Sequence, residues 1–249
     1  MNLPVEVLEA VRAKRCVCFL GSRAAFEAAQ LAGADYPDAA ALAKELGWRR
    51  PAPVPGQRPK PTSPSVEEGA ATFEAKHGRA ALEARLAERV GAPFAPPPFY
   101  EKLLARFPLV VTTCWDDLLE RAGASTVTGR GEPIPNEGVV RLRGRLGDRP
   151  VVTAADFAAQ PLSPDQKKQL RALIRNQVVL FVGYRPDEEE FERLFGELSD
   201  AYGGELPRSH LAAAQGPIDD YQWQKWVWRG LLLFLADPSE VVGELEAKL

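Results

Sequence analysis

RCVCFLG, residues 15–21, runs directly into SRAAFEAAQL, residues 22–31. The first segment is an uninterrupted apolar run that ends in glycine, which is typical of a parallel strand buried on both faces. The second segment has the apolar spacing of an amphipathic helix. A buried strand, a glycine and a helix in this order open the nucleotide-binding α/β folds, so this junction predicts a fold of that class.

The alternation of strands and helices resumes after residue 98. Apolar runs predict strands at 108–113, 124–128, 138–143, 150–153, 178–183, 208–214 and 230–235. Helical patterns lie at 99–107, 115–121, 163–176, 186–202, 217–228 and from Pro238 onward. Strands that alternate with helices form a parallel sheet with helices on both faces. The sequence therefore predicts an α/β protein with a doubly wound, Rossmann-like sheet.

A mostly helical insertion interrupts this pattern at about residues 26–98. It holds predicted helices at 37–47 and 66–90, separated by RRPAPVPGQRPKPTSPS at 49–65. The proline density of that segment and its lack of any period predict a loop. A length of 249 residues suits one domain of this kind, so we expect residues 1–249 to form a single domain that carries the insertion.

Composition excludes several classes of protein. A net charge of −3 argues against a general nucleic-acid binder, which carries a basic surplus. The longest apolar run, residues 231–236, is too short to span a bilayer, so we expect no membrane association. The three cysteines include no C-x-x-C pair, which argues against a structural zinc site and favours a reducing, cytoplasmic compartment.

Three predicted strand ends lead directly into helices: FLGSRAA (19–25), VTTCWDDLLE (111–120) and FVGYRPDEEEF (181–191). In a doubly wound sheet, ligands bind beyond the carboxyl ends of the strands. Backbone amides at such turns can hold a phosphate group. One turn of this kind has little specificity, whereas all three in this order indicate a nucleotide site.

In order and spacing, these segments resemble the sirtuin family, especially its compact bacterial branch. That family has Phe-Leu-Gly followed by Ala-Gly-Ala-Ser, then Thr-Thr-Asn-Tyr-Asp-x-Leu-Leu-Glu, Lys-Leu-His-Gly and Val-Gly-Tyr-x-x-x-Asp. This chain has FLGSRAA, TTCWDDLLE, RLRGRL (141–146) and VGYRPDEEE (182–190) at comparable intervals. The insertion also matches the family's small helical module, so the likeness covers nearly the whole chain.

The resemblance implies NAD or ADP-ribose as the ligand and no metal. The residues that match the family's nucleotide-contacting motifs are Gly21, Ser22, Arg23, Thr112, Thr113, Asp116, Gly183, Tyr184 and Asp187. The zinc-binding cysteine quartet of the deacetylase branch is missing, so deacetylation is the least favoured activity.

Three departures affect the residues that the family uses for catalysis. Arg23 stands at the second glycine of the glycine-rich turn, and Cys114 replaces the asparagine next to the reacting ribose. Arg143 replaces the histidine that serves as general base. A guanidinium cannot give up its proton at any useful pH. We therefore predict a catalytically degenerate protein whose nucleotide binding is weak or lost, acting as a regulatory, scaffolding or defence-associated subunit through a protein partner or its own copies.

The alternative is an enzyme, an NAD glycohydrolase or an ADP-ribose-processing protein with relocated catalytic groups. A replacement base would have to be a carboxylate or histidine at a strand end, and only Asp116 and Asp117 qualify there. The retained Thr112 and Thr113 would help to orient a ribose or a water. Cys114 lies at a helix start, which lowers a thiol pKa, but a buried small side chain is the favoured interpretation.

The arginines at 141, 143 and 145 share one face if residues 139–145 form a strand. They would either pair with acidic residues of the 116–120 segment or form an anion site. We expect Arg143 to contact an acidic side chain of that segment, and Arg23 to narrow the pocket.

The segment YQWQKWVW, residues 221–228, predicts an aromatic stripe along a helix. Packing in the core is the first interpretation of this stripe. A surface for a partner or for self-association is the second, because aromatic residues are enriched at interfaces.

Overall fold

The computed structural model describes residues 2–50, 63–148, 150–207, 209–213 and 218–249. Within these ranges the elements are, in chain order, α1 Val5–Arg12, β1 Cys16–Leu20, α2 Arg23–Leu31, α3 Ala39–Glu45, α4 Val66–His77, α5 Arg79–Val90, α6 Pro98–Arg106, β2 Leu109–Thr112, α7 Leu118–Arg121, β3 Val127–Thr128, β4 Gly138–Arg141, α8 Ala154–Ala159, α9 Pro164–Asn176, β5 Val178–Tyr184, α10 Glu189–Tyr202, β6 Ser209–Ala213, α11 Asp220–Trp228, β7 Leu231–Leu235 and α12 Pro238–Lys248. Most of the predicted proline-rich loop, residues 51–62, lies outside the described residues.

The strands form one seven-stranded sheet in the order β3-β4-β2-β1-β5-β6-β7. All neighbouring strands are parallel, which confirms the predicted doubly wound sheet. β1 lies between β2 and β5, so the strand order reverses at β1. A crevice opens beyond the carboxyl ends of the strands at such a reversal. The predicted ends at Leu20, Thr113 and Gly183 therefore share one crevice, each within one residue of the observed end.

Two apolar layers cover the two faces of the sheet. Cys16, Cys18 and Leu20 of β1 face the layer built by α1, α2, α6 and α12. Val17 and Phe19 face the layer built by α9, α10 and α11. Side chains of a strand alternate between its faces, and both faces of β1 are buried. This explains why the strand has no polar positions.

The predicted insertion contains α3, α4 and α5, which pack around a third apolar cluster of Leu42, Leu46, Leu82, Leu86 and Val90. The single long helix predicted over 66–90 is wrong. It is broken at Gly78, whose φ of +84° is readily available only to glycine. Since the periodicity is similar on both sides of the break, the apolar pattern alone did not reveal it.

Other predicted boundaries also differ. The strand predicted over 150–153 is absent, because Thr153 is the N-cap of α8, with a capping box to Asp156. β4 ends at Arg141, so the chain turns before Arg143 and the three arginines do not share a strand face. α10 begins at Glu189 and not at Pro186. No helix of the described residues is long and apolar enough to cross a membrane.

Candidate functional site

A cavity of about 280 Å³ lies beyond the carboxyl ends of β1, β2 and β5, between the sheet and the helical insertion. The insertion supplies its apolar wall, and the three strand-to-helix turns supply most of its polar groups. The lining residues used below are Ser22, Thr113, Cys114 and Trp115, the arginines Arg23, Arg143 and Arg185, and the acidic residues Asp38, Glu67, Asp187, Glu188, Glu189 and Glu190.

The start of α2 faces two carboxylates of the same chain. The hydroxyl of Ser22 donates a hydrogen bond to Oε2 of Glu190 over 2.7 Å. Nε and Nη2 of Arg23 both donate to Oε1 of Glu188, over 3.2 and 2.9 Å. In nucleotide-binding α/β folds the start of this helix receives a phosphate group. Here the nearest anions to Ser22 and Arg23 are side chains from the segment that opens α10.

Gly21, Gly183 and Tyr184 form tightly packed backbone behind the cavity wall. A Cβ atom on Gly21 would lie 2.5 Å from the ring of Tyr184 and 2.6 Å from the carbonyl oxygen of Gly183. The Tyr184 hydroxyl is 3.0 Å from Oγ1 of Thr113. Burial raises the pKa of Tyr184 well above its ordinary value.

The predicted nucleotide-contacting residues fall into two groups. Four of them line the cavity: Ser22, Arg23, Thr113 and Asp187. The other five support the site from behind: Gly21, Thr112, Asp116, Gly183 and Tyr184.

The turn between β2 and α7 is held by side chains that bond to the backbone. Oγ1 of Thr112 donates to the Leu20 carbonyl oxygen over 2.9 Å and accepts from the Cys114 amide over 3.0 Å. Oδ1 of Asp116 accepts from the Leu118 amide over 3.0 Å at the start of α7. Burial raises the pKa of the Asp116 carboxyl, and Asp116 does not line the cavity. Oδ1 of Asp116 therefore helps to hold the start of α7, whose N-cap is Asp117, while its buried Oδ2 has no hydrogen-bond partner among the described residues.

Cys114 lines the cavity but is buried, with 5% of its surface exposed. Burial raises the pKa of its thiol well above the ordinary value, and the charge of Asp116 raises it further. A thiolate is the reactive form of cysteine. The structure therefore agrees with the interpretation of Cys114 as a buried small side chain.

Arg141, and not Arg143, pairs with the acidic segment after β2. Its Nε donates to Oε1 of Glu120 over 2.9 Å, and its Nη1 donates to the Cys114 carbonyl oxygen over 2.7 Å. Only 2% of Arg141 is exposed. The prediction that Arg143 contacts an acidic residue of the 116–120 segment is wrong. Arg141 is the last residue of β4 and points toward that segment, whereas Arg143 follows the turn.

Arg143 points into the cavity, where its guanidinium lies 4.9 Å from the ring of Trp115 and 5.3 Å from that of Phe157. Its Nε donates to the Val151 carbonyl oxygen over 3.3 Å. Two carboxylates lie farther from the guanidinium. Oε1 of Glu190 is 3.7 Å from Nη1, and Oε1 of Glu67 is 3.9 Å from Nη2. The buried Nη2 has no hydrogen-bond partner among the described residues. Position 143, where the family resemblance implies a histidine base, thus carries a guanidinium that contacts two aromatic rings.

The lining carries six carboxylates, at Asp38, Glu67, Asp187, Glu188, Glu189 and Glu190, against three arginines. The sequence interpretation missed Glu67, Glu188 and Glu190. The run DEEE at 187–190 was visible, but acidic residues in a first helical turn are explained by the helix dipole alone. Because α10 starts three residues later than predicted, Glu188 and Glu190 face the cavity instead.

Among the carboxyl groups that line the cavity, Glu188 has the clearest pKa shift. Burial raises its pKa to about 7, and the charge of Glu190 acts in the same direction, while Arg23 opposes both. Its Oε2 is buried and has no hydrogen-bond partner among the described residues. A carboxyl group with a pKa near 7 can take up or release a proton near neutral pH.

Histidines and metal-ligand clusters do not contribute to the cavity. His77 is exposed at the end of α4, and His210 is buried in β6 beyond β5. Neither one lines the cavity. Within the described ranges, no group of three or more histidine, cysteine, aspartate or glutamate residues is placed to hold a metal ion.

Solved structures with a similar fold include complexes of Sir2 proteins. A Sir2 homologue in complex with NAD superposes with a TM-score of 0.57 at 15% identity, over 100% of this chain and 96% of that one. A mutant Sir2 homologue in complex with ADP ribose gives 0.57 at 14% identity, over 98% and 95%. A Sir2 protein bound to a propionylated peptide gives 0.55 at 12% identity, over 98% and 97%. At sequence identities this low, the structural similarity establishes the fold alone.

Sequence comparison gives the family. Residues 108–231, about half of the chain, match the model of the SIR2-like domain. No curated protein has a sequence that matches this chain. The matched residues begin one position before β2 and end at the first residue of β7, so they include the second and third turns of the cavity. With its SIR2-like domain and the Sir2 fold over its whole length, this chain is a member of the sirtuin-like family.

Proposed function

We propose that this sirtuin-like protein does not cleave NAD and works as a regulatory, scaffolding or defence-associated subunit through protein contacts. The observation that carries the proposal is the placement of Arg143 inside the cavity, between Trp115 and Phe157. By the family resemblance, this is the position of the general base. An arginine cannot accept a proton there, because it keeps its charge at all useful pH values. Loss of one positioned acid–base group costs about 10²–10⁴ in rate.

The polar lining fits intact NAD poorly. The carboxylates of Glu188 and Glu190 lie at the start of α2, where the pyrophosphate of a dinucleotide would need donors. With Arg193, which pairs with Glu67, counted beside the three lining arginines, six carboxylates stand against four arginines and the cavity keeps an acidic excess. Like charges at close range repel, and burial strengthens the repulsion. ADP-ribose carries the same pyrophosphate, so we expect both ligands to bind weakly.

An NAD glycohydrolase is the second candidate, and Glu188 is the observation that favours it. A general base works best with a pKa near the operating pH, and the pKa of Glu188 is about 7. Its second carboxylate oxygen has no hydrogen-bond partner among the described residues. In this account Glu188 takes the role that the sequence analysis gave to Asp116, which does not line the cavity.

Titration with NAD and with ADP-ribose, followed by calorimetry and by the unfolding temperature, tests the proposal. A ligand that binds only the folded state stabilises it by about 2.7 kcal/mol at a hundredfold excess over Kd. We expect no saturable heat of binding and no increase in stability at ligand concentrations up to about 1 mM. A ligand with a Kd of 10 µM would reach the hundredfold excess at about 1 mM and would stabilise the folded state by the full 2.7 kcal/mol or so. Binding with a low micromolar Kd would refute the occluded cavity.

A paired variant tests the reason for weak binding. Arg23→Gly combined with Glu188→Gln removes both members of the ion pair at the start of α2, so that one arginine and one carboxylate are lost and the net charge of the lining stays the same. We expect this variant to bind NAD at least about tenfold more tightly than the unmodified chain, equivalent to about 1.4 kcal/mol. Arg85→Gly combined with Glu88→Gln, an exposed pair on α5, is the matched control and should leave binding unchanged.

A further inference from the structure

The two edges of the sheet differ in how they are protected. β3, at one edge, has only two residues, Val127–Thr128. β7, at the other edge, pairs with β6 over five consecutive residues, Leu231–Leu235, without a bulge. Natural edge strands are usually short, bulged, or interrupted by charge or proline, because an open edge pairs with other chains. The sequence LLLFL at 231–235 contains none of these protections.

Among the described residues, the backbone of β7 pairs only with β6, on one of its two sides. The Ser209 amide donates to the Gly230 carbonyl oxygen, and the Ala236 amide donates to the Ala213 carbonyl oxygen. Even-numbered residues of β7 therefore bond to β6. In a strand, successive backbone groups point to opposite sides, so the amides and carbonyls of Leu231, Leu233 and Leu235 point away from the sheet.

Apolar side chains continue this open edge on one face of the sheet. α11, which packs beside β7, exposes 85% of Trp228, 74% of Tyr221 and 42% of Val227. At the end of the strand, 47% of Leu235 is exposed. Trp226 is the buried member of the aromatic segment, and its indole N–H donates to the Pro186 carbonyl oxygen over 2.7 Å. Trp226 therefore packs in the core, which was the first interpretation of the aromatic stripe. Tyr221 and Trp228 instead form an exposed surface, which was the second interpretation.

We propose that β7 pairs antiparallel with β7 of a second copy of this chain, giving a dimer with a continuous fourteen-stranded sheet about a twofold axis at Leu233. This proposal supplies the contact partner that the proposed function leaves open. No residue of β7 or α11 lines the cavity, so ligand binding and dimer formation can fail independently.

The strand sequence favours its own copy in this register. Leu231 comes opposite Leu235 of the second copy, Leu232 opposite Phe234, and Leu233 opposite itself. The outward amides and carbonyls of Leu231, Leu233 and Leu235 then meet the same groups of the second strand.

The helices on this face also fit the arrangement. α11 connects β6 to β7, and a connecting helix lies roughly above the space between its two strands. With neighbouring strands about 4.8 Å apart, α11 and its symmetry copy would lie about 10 Å apart, a normal helix packing distance. Trp228 and Tyr221 lie at opposite ends of α11, so the twofold axis brings the Trp228 end of one copy near the Tyr221 end of the other.

The mass of the full chain in solution, measured by light scattering or sedimentation, tests the dimer. The chain has a mass of 27.2 kDa, and we expect twice that mass at a concentration of about 100 µM. Leu235→Lys puts a charge at the edge and should weaken the dimer at least about tenfold. Leu31→Lys is the matched control, since Leu31 is 63% exposed on α2, away from β7, and should leave the mass unchanged.

A cross-link tests the register. Directly opposite residues in an antiparallel pair have Cα atoms about 5.5 Å apart, within the range that a disulfide spans. Leu233→Cys should therefore form a disulfide-linked dimer under oxidation, whereas Leu31→Cys should not. The three native cysteines are buried and should not interfere. A monomer at the concentration given above, or a folded Leu235→Lys variant that dimerises as tightly as the unmodified chain, overturns the proposal.

Discussion

Arg23 and Glu188, which both line the cavity, form an ion pair with Nη2 of the arginine 2.9 Å from Oε1 of the glutamate. Both side chains are largely buried, with 19% and 14% of their surface exposed. The pair joins the first turn of α2 to the segment that opens α10. It therefore places an arginine and a carboxylate of the chain itself at the point where a nucleotide-binding α/β fold accepts phosphate.

Glu188 should make the stability of the protein depend on pH. Burial raises its pKa in the folded state to about 7, from an ordinary value of 4.5. The folded state then binds more protons than the unfolded state between these values, so the free energy of unfolding falls as pH rises from 4.5 to 7. Glu188→Gln should be more stable than the unmodified chain at pH 8, by no more than about 3 kcal/mol, and nearly equal at pH 4.

Urea unfolding at a series of pH values measures this difference. Glu88→Gln is the control, because Glu88 is 65% exposed and its substitution should leave the pH profile unchanged. A Glu188→Gln profile that runs parallel to that of the unmodified chain would show that the pKa of Glu188 is not raised.

The Arg141–Glu120 pair should stabilise the β2–α7 turn. Glu120→Gln removes the charge opposite a guanidinium that is 98% buried, since only 2% of Arg141 is exposed. Breaking a buried pair costs about 3–5 kcal/mol, and because 21% of the Glu120 side chain is exposed we expect about 2–3 kcal/mol. Asp117→Asn affects an exposed pair with Arg121 on the same turn and should cost less than about 0.5 kcal/mol. Equal losses for the two variants would contradict the assignment.

Gly21 should tolerate no side chain. A Cβ atom there would lie 2.5 Å from the Tyr184 ring, so Gly21→Ala should destabilise the fold by about 1–3 kcal/mol. Gly243, in the exposed part of α12, has no atom within 4 Å of an added Cβ. Gly243→Ala should therefore stabilise the fold, by up to about 1 kcal/mol. Thermal unfolding of both variants checks the opposite signs.

The three cysteines should be unreactive in the folded protein. Burial raises the pKa of Cys16, Cys18 and Cys114 above the ordinary thiol value. A thiol-specific reagent at pH 8 should modify none of them in native buffer and all three in denaturant. Rapid modification of Cys114 alone would restore it as a candidate nucleophile.

The fold was predictable because its central strands are buried on both faces. A strand such as β1, covered by helices on both sides, needs an uninterrupted apolar run, and such a run is visible in the sequence. The break at Gly78 and the cap at Thr153 depend on single backbone conformations within periodic or apolar segments. Apolar periodicity carries little information about these positions.

The location of the cavity was predictable, but the pairing of its charges was not. Whether Arg141 or Arg143 meets Glu120 depends on the residue at which β4 ends, and the apolar pattern leaves that end uncertain by two residues. A shift of three residues in the start of α10 likewise decides whether Glu188 and Glu190 lie on a solvated helix face or at the cavity. Boundaries of elements are the least predictable feature of a sequence, and here they determine the chemistry of the site.

The release of nicotinamide from NAD by the purified full chain tests the central claim most directly. We predict no release above the buffer background, because Arg143 stands where the family resemblance implies a base and carboxylates lie at the start of α2. A sirtuin-family enzyme with an intact histidine serves as the positive control. Enzymatic turnover by the unmodified chain that is abolished in a folded Glu188→Gln variant would contradict the account, and would identify the protein as a glycohydrolase with a relocated base.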